Sequence, residues 1–387
     1  MVRQIKLQNL LSFGPETPPL PLENLNILIG PNGSGKSNLI EALALIRSTP
    51  GDMRAVVRRG GGTAEWIWKG QMIAPATIEL VANGPKEISS LRHTLEFLSG
   101  EQGFLLADER IETQTTGANG GPAAFSCRCH RGVPTLRRGA QKPRVLASPM
   151  TFGIDASVLS WLRDPEAYPE LSFLAEFYKQ IRIYREWALG RSSVLRQPQA
   201  ADLRNDRLEE DLSNIGLFLS LLCRNPKTRS AILNGLRDLY DGVTGFDVFV
   251  QGGAVQVFLT EGDFAIPATR LSDGTLRYLC LLAILCDPAP PPLICIEEPE
   301  LGLHPDILPK LADLLVAAST RTQLIVTTHS DILVDAMTER PEAVVVCEKH
   351  ERKTEMRRLK RDELAKWLDK YRLGQLWTEG QLGGTRW

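Results

Sequence analysis

One glycine-rich segment constrains the fold of this chain more than any other. Residues 30–37 read Gly-Pro-Asn-Gly-Ser-Gly-Lys-Ser, so glycines stand at the first and sixth positions and a lysine and a serine follow directly. Glycine adopts the backbone conformations that let successive N–H groups converge on one point. Such groups, at the start of a helix, bind anionic phosphates. The pattern predicts a phosphate-binding loop in which Lys36 reaches the β- and γ-phosphates and Ser37 offers a hydroxyl to Mg²⁺.

The residues on both sides of this loop support that interpretation. Asn26-Ile27-Leu28-Ile29 has the composition of a short buried strand, and residues 36–47 carry apolar side chains near helical spacing. A strand, a glycine-rich turn and a helix are the setting that the motif requires. A chance glycine-rich turn would not explain this context.

Length and composition limit the class of protein. A chain of 387 residues allows two or three lobes, and a hydrophobic content of 43% is typical of a globular protein with a sizeable core. No run of eighteen apolar residues predicts a membrane-spanning helix, and the first residues lack the pattern of a signal peptide. We therefore expect a cytoplasmic protein with no membrane partner. Because the net charge is −1, binding to nucleic acid would depend on a local patch.

The seven cysteines do not form a disulfide framework, since they are scattered and several lie in apolar runs. Cys127-Arg128-Cys129-His130 is the one local cluster that suggests a metal. No second ligand pair stands at zinc spacing, so an ordinary reduced segment is the favoured interpretation.

A basic run between residues 127 and 144 can be interpreted in two ways. It contains no acidic residue, and a solvated loop is the default for such a run, with contacts to a phosphate backbone as the alternative. Its basic residues are Arg128, Arg131, Arg137, Arg138, Lys142 and Arg144.

The periodicity of the apolar residues divides the chain. Helical stripes cover about 171–184, 215–222 and 232–239. Strand patterns return at 247–250 and 255–259, and a helix is predicted over 273–285. We therefore predict a core with an inserted helical lobe. The predicted division is 1–154 for the first part of the core, 155–242 for the inserted lobe, 243–350 for the second part and 351–387 for a C-terminal tail.

Two later strands end in residues that suit phosphate chemistry. Residues 293–298 form an apolar strand that ends in Glu297 and Glu298, and residues 324–329 form a second one that ends in His329. Ligands in open α/β sheets lie at the carboxyl ends of the strands, where the glycine-rich loop also lies. We predict Glu297 as a ligand of Mg²⁺, Glu298 as the general base that polarises the attacking water, and His329 as a hydrogen-bond partner of the γ-phosphate and the water.

The motifs together resemble those of the RecF/SMC/Rad50 branch of ABC-type ATPases, and more narrowly its stand-alone AAA-type ATPases. They occur in the family's order between residues 2 and about 348. The motifs are Gly-Pro-Asn-Gly-Ser-Gly-Lys-Ser-Asn-Leu-Ile-Glu-Ala-Leu from Gly30, Leu271-Ser272-Asp273-Gly274-Thr275, Glu297-Glu298-Pro299-Glu300, Leu303-His304-Pro305 and Thr328-His329-Ser330. The resemblance implies an α/β P-loop NTPase fold of the ABC/SMC-head type, with a two-lobed core sheet and an inserted helical lobe.

The resemblance also implies how such a protein acts. Two heads meet head-to-tail, and each ATP lies between the P-loop of one head and the signature motif of the other. Ser272 and Gly274 match the signature positions, residues 299–304 match the D-loop at the dimer seam, and His329 matches the switch histidine. The implied ATP-binding residues are Gly30, Asn32, Gly33, Ser34, Gly35, Lys36, Ser37, Asn38, Ser272 and Gly274, with Ser37 and Glu297 on Mg²⁺.

The sequence departs from the family pattern in two places. The usual aspartate at the Mg²⁺ position is Glu297, whose side chain is one methylene longer. For the glutamine of the Q-loop, Gln71 is a candidate, and a surface turn residue is the equal alternative.

Several functions remain open. The leading hypothesis is an ATPase whose ATP-driven dimer acts on DNA in repair or in anti-phage defence. The second is an ATPase that regulates a separate nuclease or toxin. A transporter subunit is disfavoured because its signature motif lies closer to the P-loop, and a scaffold that hydrolyses no nucleotide is a further alternative.

Overall fold

The computed structural model describes residues 1–70, 74–85, 90–100, 103–114, 124–137, 142–145 and 154–384. In chain order the strands are β1 (Val2–Gln8), β2 (Leu20–Pro21), β3 (Leu25–Ile29), β4 (Ala76–Asn83), β5 (Ser90–Gly100), β6 (Gly103–Gln114), β7 (Ala124–His130), β8 (Val133–Leu136), β9 (Arg144–Val145), β10 (Arg182–Tyr184), β11 (Gln199–Ala200), β12 (Val243–Gln251), β13 (Ala254–Glu261), β14 (Phe264–Pro267), β15 (Leu293–Glu297), β16 (Gln323–Thr327), β17 (Val344–His350) and β18 (Lys353–Arg358).

The helices, in the same order, are α1 (Lys36–Ser48), α2 (Met53–Arg59), α3 (Thr63–Trp66), α4 (Val158–Trp161), α5 (Pro169–Gln180), α6 (Ile215–Leu222), α7 (Pro226–Leu239), α8 (Asp273–Leu285), α9 (Leu308–Ser319), α10 (Asp331–Asp335), α11 (Arg361–Leu368) and α12 (Leu373–Thr378). In the described part of the chain, no helix is both long and apolar enough to cross a membrane.

A mainly parallel sheet with the order β10-β15-β16-β3-β17-β18 forms the centre of the molecule. All five residues of β3 and of β16 are buried, as expected for strands covered on both faces. The register pairs Glu297 with Thr327 and Thr327 with Leu28. The carboxyl ends of β15, β16 and β3 are therefore level at one edge of the sheet.

Alternate residues of these strands belong to two hydrophobic cores. Leu324 and Val326 of β16 face the core that contains α6–α10 and α12, whereas Ile325 faces the core that contains α1 and α5. This alternation follows from the two-residue period of a strand. Both faces of the central sheet are thus covered by helices, with α1 and α5 between it and a second sheet.

The second sheet is antiparallel, with eight strands in the order β2-β1-β4-β5-β6-β7-β8-β9. Its buried side chains pack on the side of α1 and α5. A third, smaller sheet has the order β11-β13-β12, with β14 paired to β13. It packs with α6, α7 and α8 on the opposite side of the molecule.

The segment 155–242 differs from the predicted helical lobe. The predicted stripe over 171–184 ends as a helix at Gln180, and Arg182–Tyr184 form β10, which pairs in parallel with residues 294–296 of β15. Helix α5 belongs to one core and α6 and α7 to the other. The segment therefore contributes an edge strand to the central sheet and helices to both of its faces, so it is part of the core. The apolar residues of 181–184 fit a helical spacing, but their hydrogen bonds go to a strand far along the chain.

Candidate functional site

The glycine-rich loop joins β3 to α1, and two of its glycines are required by their surroundings. Gly30 has φ 145° and Gly35 has φ 102°, in the region that favours glycine. A Cβ on Gly30 would lie 2.1 Å from the carbonyl oxygen of Cys347, and one on Gly35 would lie 2.3 Å from Oγ1 of Thr354. The loop is therefore packed against β17 and β18 too closely for any side chain at these positions.

Lys36 begins α1 and is buried under the loop. Its Nζ donates to the carbonyl oxygens of Gly30 at 2.8 Å and Pro31 at 3.1 Å. Burial lowers the pKa of Lys36, and the nearby Cys347, Glu298, Glu300 and Glu297 oppose that effect. The charged end of Lys36 is thus held within the loop that should receive phosphates.

One small cavity collects most of the predicted residues. It is lined by Asn32, Gly33, Gly35, Lys36, Ser37, Asn38, Glu298 and His329. The loop and the ends of β15 and β16 therefore meet, as the sheet register requires. Gly30 and Ser34 of the predicted set are buried residues of the loop and do not line this cavity.

Glu297 ends β15 next to this cavity. Burial raises its pKa, the Arg185 guanidinium and a hydrogen bond from Ser37 lower it, and Glu41 and Glu298 raise it. Its Oε1 is buried and has no hydrogen-bond partner among the described residues. A carboxylate and a hydroxyl supply the hard oxygen ligands that Mg²⁺ prefers. The donor set of Ser37 and Glu297, with one carboxylate oxygen left unpaired, therefore fits a divalent cation.

Glu298 follows in a strained turn that directs it to the cavity. Its φ is 45°, which is unusual for a residue other than glycine, and its N–H is held by Thr327 through the carbonyl at 3.1 Å and Oγ1 at 3.2 Å. Such strain costs about 1–3 kcal/mol and persists where the surroundings impose it. Nε2 of His329 lies 3.7 Å from Oε1 of Glu298. The two side chains predicted for proton transfer and γ-phosphate contact are thus neighbours.

The pKa of His329 is lowered by burial and by Lys36, and Glu298 opposes this shift. Its ordinary value is 6.5, so a lowered pKa keeps the imidazole neutral at neutral pH. A neutral imidazole has one N–H donor and one acceptor nitrogen.

Glu300 is a residue whose role the sequence analysis missed. Its Oε1 accepts hydrogen bonds from Oγ1 of Thr328 and from the N–H of His329, both at 2.7 Å. Burial raises the pKa of this carboxyl. Glu300 thereby orients the turn that carries His329. Glu300 belongs to the motif Glu297-Glu298-Pro299-Glu300, but no role of its own was predicted for it from the sequence, because its partners lie on the strand end at Thr328 and His329.

The signature segment lies outside the cavity. Ser272 is exposed and caps α8, since its Oγ accepts from the N–H of Thr275 at 3.0 Å. A Cβ on Gly274 would lie 2.6 Å from the carbonyl oxygen of Gly302. The signature turn is therefore packed on the 299–304 loop, and Ser272 and Gly274 do not line the P-loop cavity of their own chain.

Arg196 is a second residue with a role that was not predicted from the sequence. Arg196 is buried and donates to the carbonyl oxygens of Leu189 at 3.1 Å, Ala268 at 3.3 Å and Leu271 at 2.5 Å. It also contacts Asp273. This guanidinium holds the backbone that presents Ser272.

The basic run lies at the end of the antiparallel sheet. Arg131, Lys142 and Arg144 are exposed, and Arg138 lies outside the described residues. Arg128 lies 3.5 Å from Asp108 of the neighbouring β6. The run has no acidic residue of its own, but the fold brings one to it from another strand.

Two other predictions concern this region. Cys127 and Cys129 are buried in β7, where burial raises the pKa of Cys129 to about 12. Among the residues that the structure describes, no group of three His, Cys, Asp or Glu side chains is placed to hold a metal ion. Gln71, the candidate for the Q-loop, lies outside the described residues.

Comparison with known families identifies a match to most of the chain. The family described as "AAA domain, putative AbiEii toxin, Type IV TA system" matches residues 25–119 and 170–335, which is more than half of the chain. The matched ranges include the P-loop, the signature segment and the ends of β15 and β16. A search of curated proteins found no match.

Solved structures of SMC heads are similar to this chain over nearly its full length. One is the SMC head bound to the C-terminal winged-helix domain of ScpA, with TM-score 0.58, 14% identity, and coverage of 94% of this chain and 99% of that one. A second, from Pyrococcus furiosus with an extended coiled coil and bound to the C-terminal domain of ScpA, has TM-score 0.56, 13% identity and coverage of 95% and 98%. A third, from Pyrococcus yayanosii with a coiled coil and joint, has TM-score 0.52, 12% identity and coverage of 95% and 99%. At these identities the likeness shows the fold, and it confirms the predicted P-loop fold of the ABC/SMC-head type.

Proposed function

The chain belongs to this AAA-domain family, and on that premise we propose that it is a cytoplasmic ATPase that binds ATP at the P-loop cavity and hydrolyses it. The observation that carries the proposal is the meeting of Lys36, Ser37, Glu298 and His329 around one cavity. These residues come from three separate parts of the chain, and each has the chemistry that its place requires.

Each side chain at the cavity has a proposed role in ATP hydrolysis. The loop N–H groups and Lys36 bind the phosphates, and Asn32, Gly33, Gly35 and Asn38 form the walls. Ser37 and Glu297 would hold Mg²⁺, which neutralises charge on the phosphate oxygens. Glu298 takes a proton from the water that attacks the γ-phosphorus, and the bond to the β-phosphate oxygen breaks to leave ADP and phosphate. The neutral imidazole of His329 donates a hydrogen bond to the γ-phosphate.

The proposal includes a second copy of the chain. Ser272 is exposed and does not line the P-loop cavity of its own chain, and α8 begins directly after it. The N-terminus of a helix attracts anions. We propose that Ser272 and Gly274 of one head complete the phosphate site of the other, so that ATP stabilises the dimer and hydrolysis releases it.

We propose that this ATP-driven cycle of dimerisation and release acts on DNA. Support comes from the exposed Arg131, Lys142 and Arg144 at the end of the antiparallel sheet. Such residues would bind the phosphate backbone without regard to sequence. Repair and anti-phage defence are both consistent with this activity.

A second candidate function rests on the family description, which names a putative toxin of a type IV toxin–antitoxin system. In that case the ATPase cycle regulates a toxin or nuclease carried by another chain. ATP turnover that responds to such a protein and not to DNA would favour this alternative.

The test is release of phosphate from ATP with and without DNA, by the wild type and by Glu298→Gln. Because Gln cannot accept the proton, we expect a loss of roughly 10²–10⁴-fold in turnover with ATP binding unchanged. Lys36→Ala is the control that should lose nucleotide binding itself. Equal and negligible turnover in the wild type and Glu298→Gln would contradict the enzymatic proposal.

A further inference from the structure

Arg185 lies at the carboxyl edge of the central sheet, beside the proposed metal ligand. It directly follows β10, and the parallel register pairs Tyr184 with Ile296, so Arg185 is level with Glu297. Nε of Arg185 is 3.8 Å from Oε2 of Glu297. Its Nη1 is 2.6 Å from Oε1 of Glu41, which belongs to α1, one turn after Ser37. The guanidinium therefore lies between two carboxylates.

The two contacts of Arg185 are unequal. The hydrogen bond to Glu41 is short, whereas the contact with Glu297 is longer and leaves Oε1 of Glu297 unpaired. Although burial lowers the pKa of Arg185, the hydrogen bond to Glu41 and the charge of Glu297 raise it overall, so the residue stays charged. Arg185 can thus give up its contact with Glu297 and still remain paired with Glu41.

The backbone next to Arg185 is fixed. Nε1 of Trp187 donates to the carbonyl oxygen of Glu297 at 3.0 Å. The Arg277 guanidinium lies 4.9 Å from the centre of the Trp187 ring. The Arg185 side chain can therefore leave Glu297 and stay with Glu41 while strand β10 keeps its position.

We propose that Arg185 is a built-in counter-ion of the metal site, which competes with the divalent cation for Glu297 and withdraws to Glu41 when the cation binds. The inference rests on the proposed metal site at Ser37 and Glu297. Two cations that share one carboxylate repel each other, and the repulsion is appreciable at distances near 4 Å in a half-buried site. The competition sets how much Mg²⁺ the site requires.

The same arrangement gives a reason for the glutamate at position 297. The carboxylate of Glu297 lies between Ser37, which lowers its pKa, and Arg185, whose Nε is 3.8 Å from Oε2 of Glu297. The longer side chain brings the carboxylate to both partners, so Glu297 and Arg185 work as a pair.

The experiment is a Mg²⁺ titration of the binding of a fluorescent ATP analogue, which needs no turnover. For Arg185→Gln we expect half-saturation at roughly tenfold lower Mg²⁺, the order expected when one half-exposed opposing charge is removed. Arg185→Lys, which keeps the charge, should stay near the wild type. Arg47→Gln is the matched control, because Arg47 is a similarly half-buried arginine that pairs with Glu210; its half-saturation should not change.

A second pair of variants tests the partner exchange. Glu41→Gln removes the residue to which Arg185 withdraws, so it should raise the Mg²⁺ requirement. In the Arg185→Gln background the same substitution should have a much smaller effect. An equal effect in both backgrounds would show that Glu41 acts on the cation directly and would overturn the exchange.

The outcomes separate this inference from the proposed function. If the wild type binds the analogue, and Lys36→Ala does not, but Arg185→Gln needs as much Mg²⁺ as the wild type or more, the competition is refuted and the ATP site stands. If the wild type and Lys36→Ala bind the analogue equally, the proposed site itself fails. Should Arg185→Gln not fold by circular dichroism, the comparison of wild type, Arg185→Lys and Glu41→Gln decides: a Mg²⁺ requirement unchanged in Glu41→Gln refutes the competition.

Discussion

Arg196→Met tests whether one buried guanidinium holds the signature turn in place. Methionine keeps much of the apolar stem and removes the charge and the hydrogen bonds. In the wild type the guanidinium donates to the carbonyl oxygens of Leu189, Ala268 and Leu271. The substitution should therefore loosen the turn before Ser272 and leave the P-loop cavity intact.

The expected magnitude follows from these hydrogen bonds. The Ala268 carbonyl also accepts from the N–H of Leu271 at 3.3 Å, so it keeps one partner. The other two carbonyls lose a charged donor, and hydrogen bonds to charged groups contribute about 1.5–3 kcal/mol each. The ion pair with Asp273, whose side chain is 61% exposed, adds at most about 1 kcal/mol. With entering water taken into account, we expect the turn to open more easily by about 3 kcal/mol.

Hydrogen–deuterium exchange of peptides that cover residues 268–276 is the assay, because a protein of this size need not unfold in two states. A cost of about 3 kcal/mol corresponds to exchange roughly 100-fold faster, since about 1.4 kcal/mol is tenfold. Peptides of α1 should exchange as in the wild type. Arg191→Met, an exposed arginine of the same segment, is the matched control and should change little. Exchange at 268–276 that rises less than about threefold would refute the role given to Arg196, since it would correspond to under about 0.7 kcal/mol.

The remaining predictions concern the dimer, the metal and DNA. Ser272→Arg should abolish ATP-dependent dimers in gel filtration and spare ATP binding to the monomer, whereas Ser272→Thr, which keeps the helix cap, should still dimerise; dimers of Ser272→Arg would contradict the sandwich. Burial raises the pKa of Glu297 above the ordinary glutamate value of 4.5, and a protonated carboxyl does not bind the cation. As the pH is lowered, Mg²⁺-dependent nucleotide binding should therefore begin to weaken at a pH above 4.5. An Mg²⁺ affinity that stays constant down to pH 4.5, after correction for the titration of ATP itself, would contradict this. Changing Arg131, Arg137, Arg138 and Arg144 to Ala should lower the slope of log affinity against log salt by about 0.9 for each DNA phosphate that the protein no longer neutralises. Arg128→Ala should lower it less, since Asp108 already pairs with Arg128. An unaltered slope in the fourfold variant would show that this basic run, part of which forms β7, β8 and β9, does not bind the DNA backbone.

Local patterns predicted the elements of the site well. The helix over 273–285 has the bounds of α8, and the strand and helix around the glycine-rich loop are β3 and α1. These predictions succeeded because helical period, capping residues and glycine conformation are properties of neighbouring residues. The order of strand ends was also predictable, since parallel strands place their carboxyl ends at one edge.

The prediction for 181–184 was wrong for a reason that also explains the missed residues. Its apolar spacing fits a helix, but β10 forms by pairing with β15, more than one hundred residues later. Whether such a segment is a helix or a strand depends on a partner that no local pattern contains.

The sequence by itself therefore determined a P-loop, two strand ends with the chemistry of phosphate transfer, and the family to which the motifs belong. The tertiary structure decided how those parts are held: Glu300 behind His329, Arg196 behind the signature turn, and Arg185 between Glu41 and Glu297. Each of these three is a charged side chain, a residue type that is most often solvated. Its role depends on burial and on groups brought to it from elsewhere in the chain, and only packing creates that environment.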